Sequence, residues 1–260
     1  WPYSGMLSGC ISLYDVTGDK KYLEILEKRI IPGLDLYWDN TRTPHCYQSY
    51  PRFNGESDRF YDDNDWLAID FCDLYALTKD QQYLLKAKEL HKYIYSGWDD
   101  ALGGGIYWCE QKKTSKNTCS NAPATVLCMK LYNLTKEQKY LDQAIETYNW
   151  TKKNLCDPAD SVYWDNIGLD QTIGKAKFTY NSGQMIQAGV LLYQTTSDET
   201  YLTDAKNTAK GAYNHFLGKR TGINGKDAYF YPTNPWFNVI LLRGLLALAE
   251  VDNDYKYVRT

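Results

Sequence analysis

Two adjacent carboxylates stand in the stretch RFYDDNDWLAIDF at 59–71, directly ahead of an apolar run. Asp62 and Asp63 are the residue types that cleavage of an acetal needs. A retaining mechanism uses one carboxylate as nucleophile and one as acid/base, about 5–5.5 Å apart. Neighbouring residues can meet that spacing if their side chains diverge, since consecutive Cα atoms lie about 3.8 Å apart. A like charge this close raises one pKa and keeps one acid protonated near neutrality. The plainer reading is a helix start, in which Asp63 or Asn64 caps a helix over 65–77. Acidic caps are the commoner occurrence. Yet the matching starts TCSNAP (118–123) and KFTYNS (177–182) carry no paired carboxylate, so capping does not require Asp-Asp here.

Other candidates are weaker. Asp99-Asp100 precedes Gly103, Gly104 and Gly105, where a turn is the expected role. The glycines allow close approach of the backbone, either to the chain or to a sugar. No Lys-Ser/Thr follows, so this is not a phosphate loop. Three scattered histidines do not suggest zinc. A calcium site from Asp58, Asp62, Asp63 and Asp65 lacks the EF-hand spacing and glycine. No metal and no cofactor is expected. Seven cysteines include no C-x-x-C pair. Cys10, Cys72 and Cys128 read as small core hydrophobes, whereas Cys109 and Cys119 share a loop and could pair.

A net charge of -3 without a Lys/Arg-rich run argues against a nucleic-acid partner. The longest apolar stretch, VILLRGLLALAEV at 239–251, is too short and too charged to span a bilayer. The 24 Tyr, 8 Trp and 7 Phe suit either sugar stacking or a tyrosine-rich core.

The elements that must position these residues come from a repeat. LYDVTGDKKYL, LYALTKDQQYL, LYNLTKEQKYL and LYQTTSDETYL start at Leu13, Leu74, Leu131 and Leu192, and a weaker copy starts at Leu248. Each copy ends one helix, turns at Thr-x-Asp/Glu and opens an amphipathic helix, which makes an αα-hairpin. Inner helices are expected over about 4–15, 65–77, 120–133, 180–195 and 236–250, with little strand signal beyond GGGIYW. Short turns alternate with long loops at 32–64, 97–119, 155–179 and 218–235. That alternation predicts one all-α domain over 1–260, a toroid of helical hairpins. Its function should gather on the long-loop face.

RFYDDNDW, GWDDALGGGIYW, YWDN (163–166) and FTYNSG (178–183), in this order, resemble glycoside hydrolase family 76 across nearly the whole chain. The resemblance implies an (α/α)6 barrel acting as an endo-α-1,6-mannanase, of the bacterial rather than the fungal cell-wall type. It implies Asp62 as nucleophile and Asp63 as acid/base. It places Tyr61, Asn64, Gly104, Gly105, Asn117, Asn121, Asp165, Tyr180 and Asn181 at the mannan. Trp66, Trp108 and Trp164 are candidate stacking platforms, with core packing the alternative. A monomer at a secreted, periplasmic or cell-surface location is also implied. Transglycosylation and non-catalytic mannan binding are the alternatives on this scaffold. Five inner and four full outer helices fall short of twelve, so the toroid is expected to be incomplete at both ends.

Overall fold

The computed structural model describes residues 2–222, 225–232 and 234–259. Trp1, at the head of the first repeat, lies outside them. Helix α1 (Pro2–Thr17) leads to α2 (Lys20–Ile25), which runs through a π-turn into α3 (Ile31–Leu34). Then come the pairs α4 (Tyr61–Thr78) with α5 (Gln81–Tyr95) and α6 (Thr118–Thr135) with α7 (Gln138–Leu155). The pair α8 (Thr179–Thr196) with α9 (Glu199–Phe216) follows, and then α10 (Pro235–Asp252).

The repeated turn explains itself chemically. Thr17, Thr78, Thr135 and Thr196 each donate to the carbonyl four residues back, at 2.5–2.8 Å. Each also accepts the N–H of the acidic residue two positions on, at 3.2 Å. Asp19, Asp80 and Asp198 in turn accept an N–H from the first turn of the next helix. Glu137 holds the same place without a side-chain cap.

Helices α1, α4, α6, α8 and α10 form the inner layer, each packed on the next, with α5, α7 and α9 outside their own partners. Burial follows this division. Helix α6 is buried on every side from Thr118 to Met129, whereas α5 buries a stripe through Tyr83, Ala87, Leu90 and Ile94. The all-α hairpin toroid is therefore as expected. Two details differ. Helices α4 and α6 start earlier than the apolar pattern implies, at Tyr61 and Thr118. The N-cap of α4 is Phe60, without a side-chain bond. Asp62 and Asp63 thus lie inside the first turn and neither caps the helix.

The long loops also hold strands that the sequence pattern hides. β1 (Trp38–Asp39) pairs with β2 (Cys46–Tyr47). β3 (Tyr107–Cys109), β4 (Lys112–Asn117), β5 (Trp164–Gly168) and β6 (Ile173–Lys177) form one antiparallel sheet. β7 (Gly218–Thr221) pairs with β8 (Asp227–Phe230). β4 reads KKTSKN and β6 reads IGKAK, so neither shows the apolar alternation of a half-buried strand. The β4–β5 pairing sets Asn117 opposite Asn166 and so ties two long loops together over the helix starts.

Two buried cations hold these loops. The Arg59 guanidinium donates to both oxygens of Glu110 at 2.5 and 2.6 Å, to Asp39 at 3.3 Å and to the Pro44 carbonyl at 3.0 Å. Lys116 Nζ donates to Asp99 Oδ1 at 2.6 Å and to the carbonyls of Ala101 and Gly104 at 2.7 and 2.6 Å. Removing one partner of such a buried set strands the others without water.

At the other end of the inner layer Asp70 is buried. Ser8 Oγ lies 2.6 and 2.7 Å from its two oxygens. Burial pushes Asp70 up to about 7, against the pull of Ser8 and Arg243. An unfolded carboxyl releases its proton near pH 4. Between that pH and 7 the folded chain holds a proton that the unfolded chain has lost, so rising pH favours unfolding. Asp70→Asn removes this dependence. Its melting temperature relative to wild type should climb as pH rises from about 4 to 7, and a pH-independent difference would contradict the assignment. Arg59→Met should cost about 3–5 kcal/mol in urea unfolding. A loss below about 1 kcal/mol would show that the guanidinium cluster does not hold the loop.

Candidate active site

The site begins with a side chain spent on backbone. Asn64, fully buried, accepts the Tyr47 N–H at 2.9 Å and donates to the carbonyls of Tyr47 and Phe60 at 2.9 and 2.8 Å. Asn121 repeats this one helix on. It accepts from Ile106 at 2.7 Å and donates to Ile106 and Asn117 carbonyls at 2.9 and 2.8 Å. Each amide closes a long loop onto the start of an inner helix. With the loops clamped, the second residues of α4, α6, α8 and α10 converge: Asp62, Cys119, Tyr180 and Trp236. All four line one cleft of about 410 Å³, together with Trp66, Trp108, Phe237, Asn117 and Asp165.

Asp62 reaches this cleft from the first turn of α4, with Asp63 next to it in the chain. Asp62 also lines an adjoining lobe, which it shares with Asp63, Tyr50, Phe60 and Trp108. Both carboxyls sit above the ordinary carboxylate range. Burial is the largest cause for each, and the charge of Asp63 adds to it at Asp62. Their position in the first turn of α4 opposes this, because the positive end of the helix favours negative charge. Behind them Asp65 is buried with neither oxygen hydrogen-bonded, and burial followed by the Asp62 charge pushes its pKa well up. Asp65 is therefore a neutral acid at the back of the pair.

Asp165, on β5, accepts from Asn166 Nδ2 at 2.8 Å. Burial raises its pKa, while Asn166 and Asn181 pull it down. The buried Asn181 amide faces this carboxylate without closing a hydrogen bond of standard geometry. Asn117 accepts from Ser115 Oγ at 2.8 Å at the cleft wall. The aromatic wall is dense. The Tyr180 and Phe237 ring centroids are 4.1 Å apart, Trp66 and Trp236 meet edge-on at 5.9 Å, and Trp108 packs on Phe60 at 4.9 Å.

Of the residues singled out by sequence, Asp62, Trp66, Trp108, Asn117, Asp165 and Tyr180 share this cleft, with Asp63 in the adjoining lobe. Others do a different job. Asn64 and Asn121 are clamps with no group left for a ligand. Tyr61 is buried, stacked on Tyr93 at 4.9 Å and pressed against Gly97. Gly104 and Gly105, at φ of 122° and 89°, make room for Trp98 and Trp150; an added Cβ would fall 2.7 and 2.6 Å from those rings. Their close approach is to the chain itself. Asp99 caps the turn and receives Lys116. Trp164 does not line the cleft, and Lys175 Nζ lies 5.8 Å from its ring. Cys109 and Cys119 are unpaired thiols. Among the described residues no cluster of His, Cys, Asp and Glu is disposed to hold a metal ion. None of the described helices is long and apolar enough to cross a membrane.

Sequence reasoning missed Cys119, Trp236 and Phe237. The repeat register carried the signal for the first two. Aligning the Leu-Tyr copies puts Cys119 and Trp236 in the same column as Asp62 and Tyr180.

The mannosidase Bt3792 of Bacteroides thetaiotaomicron superposes with a TM-score of 0.89 at 33% identity, covering 98% of this chain and 72% of that one. The α-1,6-mannanase GH76A of Salegentibacter sp. HEL1_6 superposes at 0.78 with 31% identity, covering 96% and 70%. An inactive variant of that enzyme, with two consecutive aspartates changed to alanine, has been solved with α-1,6-mannotetrose. Mannan endo-1,6-alpha-mannosidase DCW1 of Saccharomyces cerevisiae is 28% identical over 135 residues, 48% of this chain and 30% of that protein. The chain spans half or less of the curated relatives it matches. The family model for glycosyl hydrolase family 76 matches residues 1–256, and the chain belongs to that family.

Proposed function

We propose that the protein is an endo-acting, retaining glycoside hydrolase of α-1,6-linked mannan. The observation that carries the proposal is the Asp62-Asp63 pair where an aromatic cleft meets its adjoining lobe, inside a helix turn that neither residue caps. The inactive Salegentibacter variant, altered at two consecutive aspartates, supports the same reading. So does the resemblance of RFYDDNDW to the family's motif, which implies the nucleophile's role for Asp62 and the acid's for Asp63.

The chemistry follows from one proton shared by two acids. Burial lifts both carboxyls and the charge of Asp63 pushes Asp62 up to about 8, so the pair holds one proton around neutrality and it rests on Asp62; that proton passes to Asp63 as the mannan binds, which leaves Asp62 ionised to attack. Asp62 attacks the anomeric carbon as Asp63 protonates the departing glycosidic oxygen. The C–O bond breaks and a glycosyl ester forms on Asp62. Asp63, now ionised, takes a proton from water, and the water oxygen displaces Asp62 at the same carbon. Trp108, Trp236 and Phe237 offer flat faces to sugar C–H groups, and Asn117 and Asp165 offer polar atoms to hydroxyls.

Asp62→Asn and Asp63→Asn should each lower kcat on linear α-1,6-mannan by roughly 10²–10⁴-fold or more. Both variants should still bind α-1,6-mannotetraose in calorimetry. Near wild-type turnover in either variant would overturn the pair. Tight binding by wild type with no release of reducing ends would make the protein a binding module instead.

A further inference from the structure

We propose that the short-turn end of the toroid holds a second saccharide site, a chamber that takes one mannopyranose unit and is walled off from the cleft by Trp66. The choice of mannose rests on the proposed substrate; the site itself does not depend on the roles of Asp62 and Asp63.

Helices α1, α4, α6, α8 and α10 all converge on this chamber, which measures about 300 Å³. They supply Ser8, Asp70, Lys130, Gln184 and Arg243 in that order. Asp70 lies more than two turns beyond Asp62 on α4, about 12 Å along the helix. Trp66 stands between them, lines both spaces and is buried. The volume is at the lower end of the range for small-molecule sites, about 300–1,000 Å³, and suits one ring rather than a chain.

The polar groups of the chamber are under-satisfied. Gln184 is 2% exposed. Its Nε2 donates to Gln187 Oε1 at 3.4 Å, while its own Oε1 has no hydrogen-bond partner among the described residues. A buried amide oxygen left in that state is unusual for packing alone. Ser8 Oγ lies within 2.7 Å of both Asp70 oxygens but has one proton to donate, so one oxygen stays open. Arg243 donates to Ser12 Oγ at 3.4 Å and keeps further N–H groups for another acceptor.

Charge narrows the ligand. Asp15 and Asp73 balance Lys130 and Arg243, and Asp73 accepts from Lys130. Asp70, pushed up to about 7 by burial, adds less than a full charge at neutrality. Such a chamber recruits neither a cation nor an anion. It matches a neutral ring whose hydroxyls both donate and accept, with Ile11, Ile69 and Trp66 as apolar wall for the C–H groups.

Proton–nitrogen NMR of the full chain tests the proposal. The side-chain amide signals of Gln184 and Gln187 should shift with D-mannose and saturate at a Kd of about 1–10 mM. The indole N–H signals of Trp108 and Trp236 report the cleft separately. A second titration, of α-1,6-mannotetraose into Asp62→Asn, avoids release of mannose. Tetraose that moves the glutamine signals identifies a chain end as the ligand; tetraose that moves the cleft signals alone identifies free mannose. Arg243→Leu should weaken the glutamine response to D-mannose roughly tenfold and leave kcat/KM on linear α-1,6-mannan unchanged. Glutamine signals unmoved by D-mannose in the wild type, moved equally by glycerol, or moved at the same Kd in Arg243→Leu would overturn the site. Cleft signals unmoved by the tetraose would count against the proposed substrate, whereas cleft signals that move while D-mannose leaves the glutamines unmoved would defeat the chamber alone.

Discussion

Everything at the cleft depends on a buried amide that bonds to backbone across a long loop. Asn64 holds both polar groups of Tyr47, and Asn121 does the same for Ile106. Loop backbone brought against helix starts must have its polar groups satisfied, because water is excluded there. The asparagines meet that need with three hydrogen bonds each. In doing so they fix where an inner helix begins, and therefore where its second residue points. Asp62 and Cys119 are aimed by the residues that follow them, not by their own contacts.

The same arrangement sets the electrostatics. A carboxylate pair in open water would titrate near pH 4 and could not hold a proton at neutrality. Sunk beneath the loops, Asp62 and Asp63 are both lifted, and Asp65 behind them adds a third acid that stays neutral. The helix N-terminus supplies the compensating field. Arg59 and Lys116, the two buried cations of the loops, are spent on Glu110, Asp39 and Asp99 and on carbonyl oxygens, so their charge is directed at loop structure.

Local chemistry made the scaffold legible in the sequence. The Thr-x-Asp turns are closed by bonds spanning two to four residues, so composition and spacing revealed every hairpin. Adjacent aspartates were legible as chemistry for the same reason. What remained hidden acts at long range. The clamps of Asn64 and Asn121 reach 17 and 15 residues back, and nothing local distinguishes them from ligand-binding amides. The polar strands β4 and β6 are fixed by their neighbours. Gly104 and Gly105 answer to Trp98 and Trp150, which no spacing rule connects to them. Cys119 read as a loop cysteine that could pair with Cys109, while its place in the cleft beside residues of other helices was hidden.

In the proposed double displacement on α-1,6-mannan, Asp62 is the nucleophile and Asp63 the acid/base. Proton NMR of a fresh digest of the linear polymer tests it most directly. The first reducing ends should appear as the α-anomer and only later mutarotate, with internal bonds cut first. First-formed β-anomer would mean a single displacement by water and would contradict it.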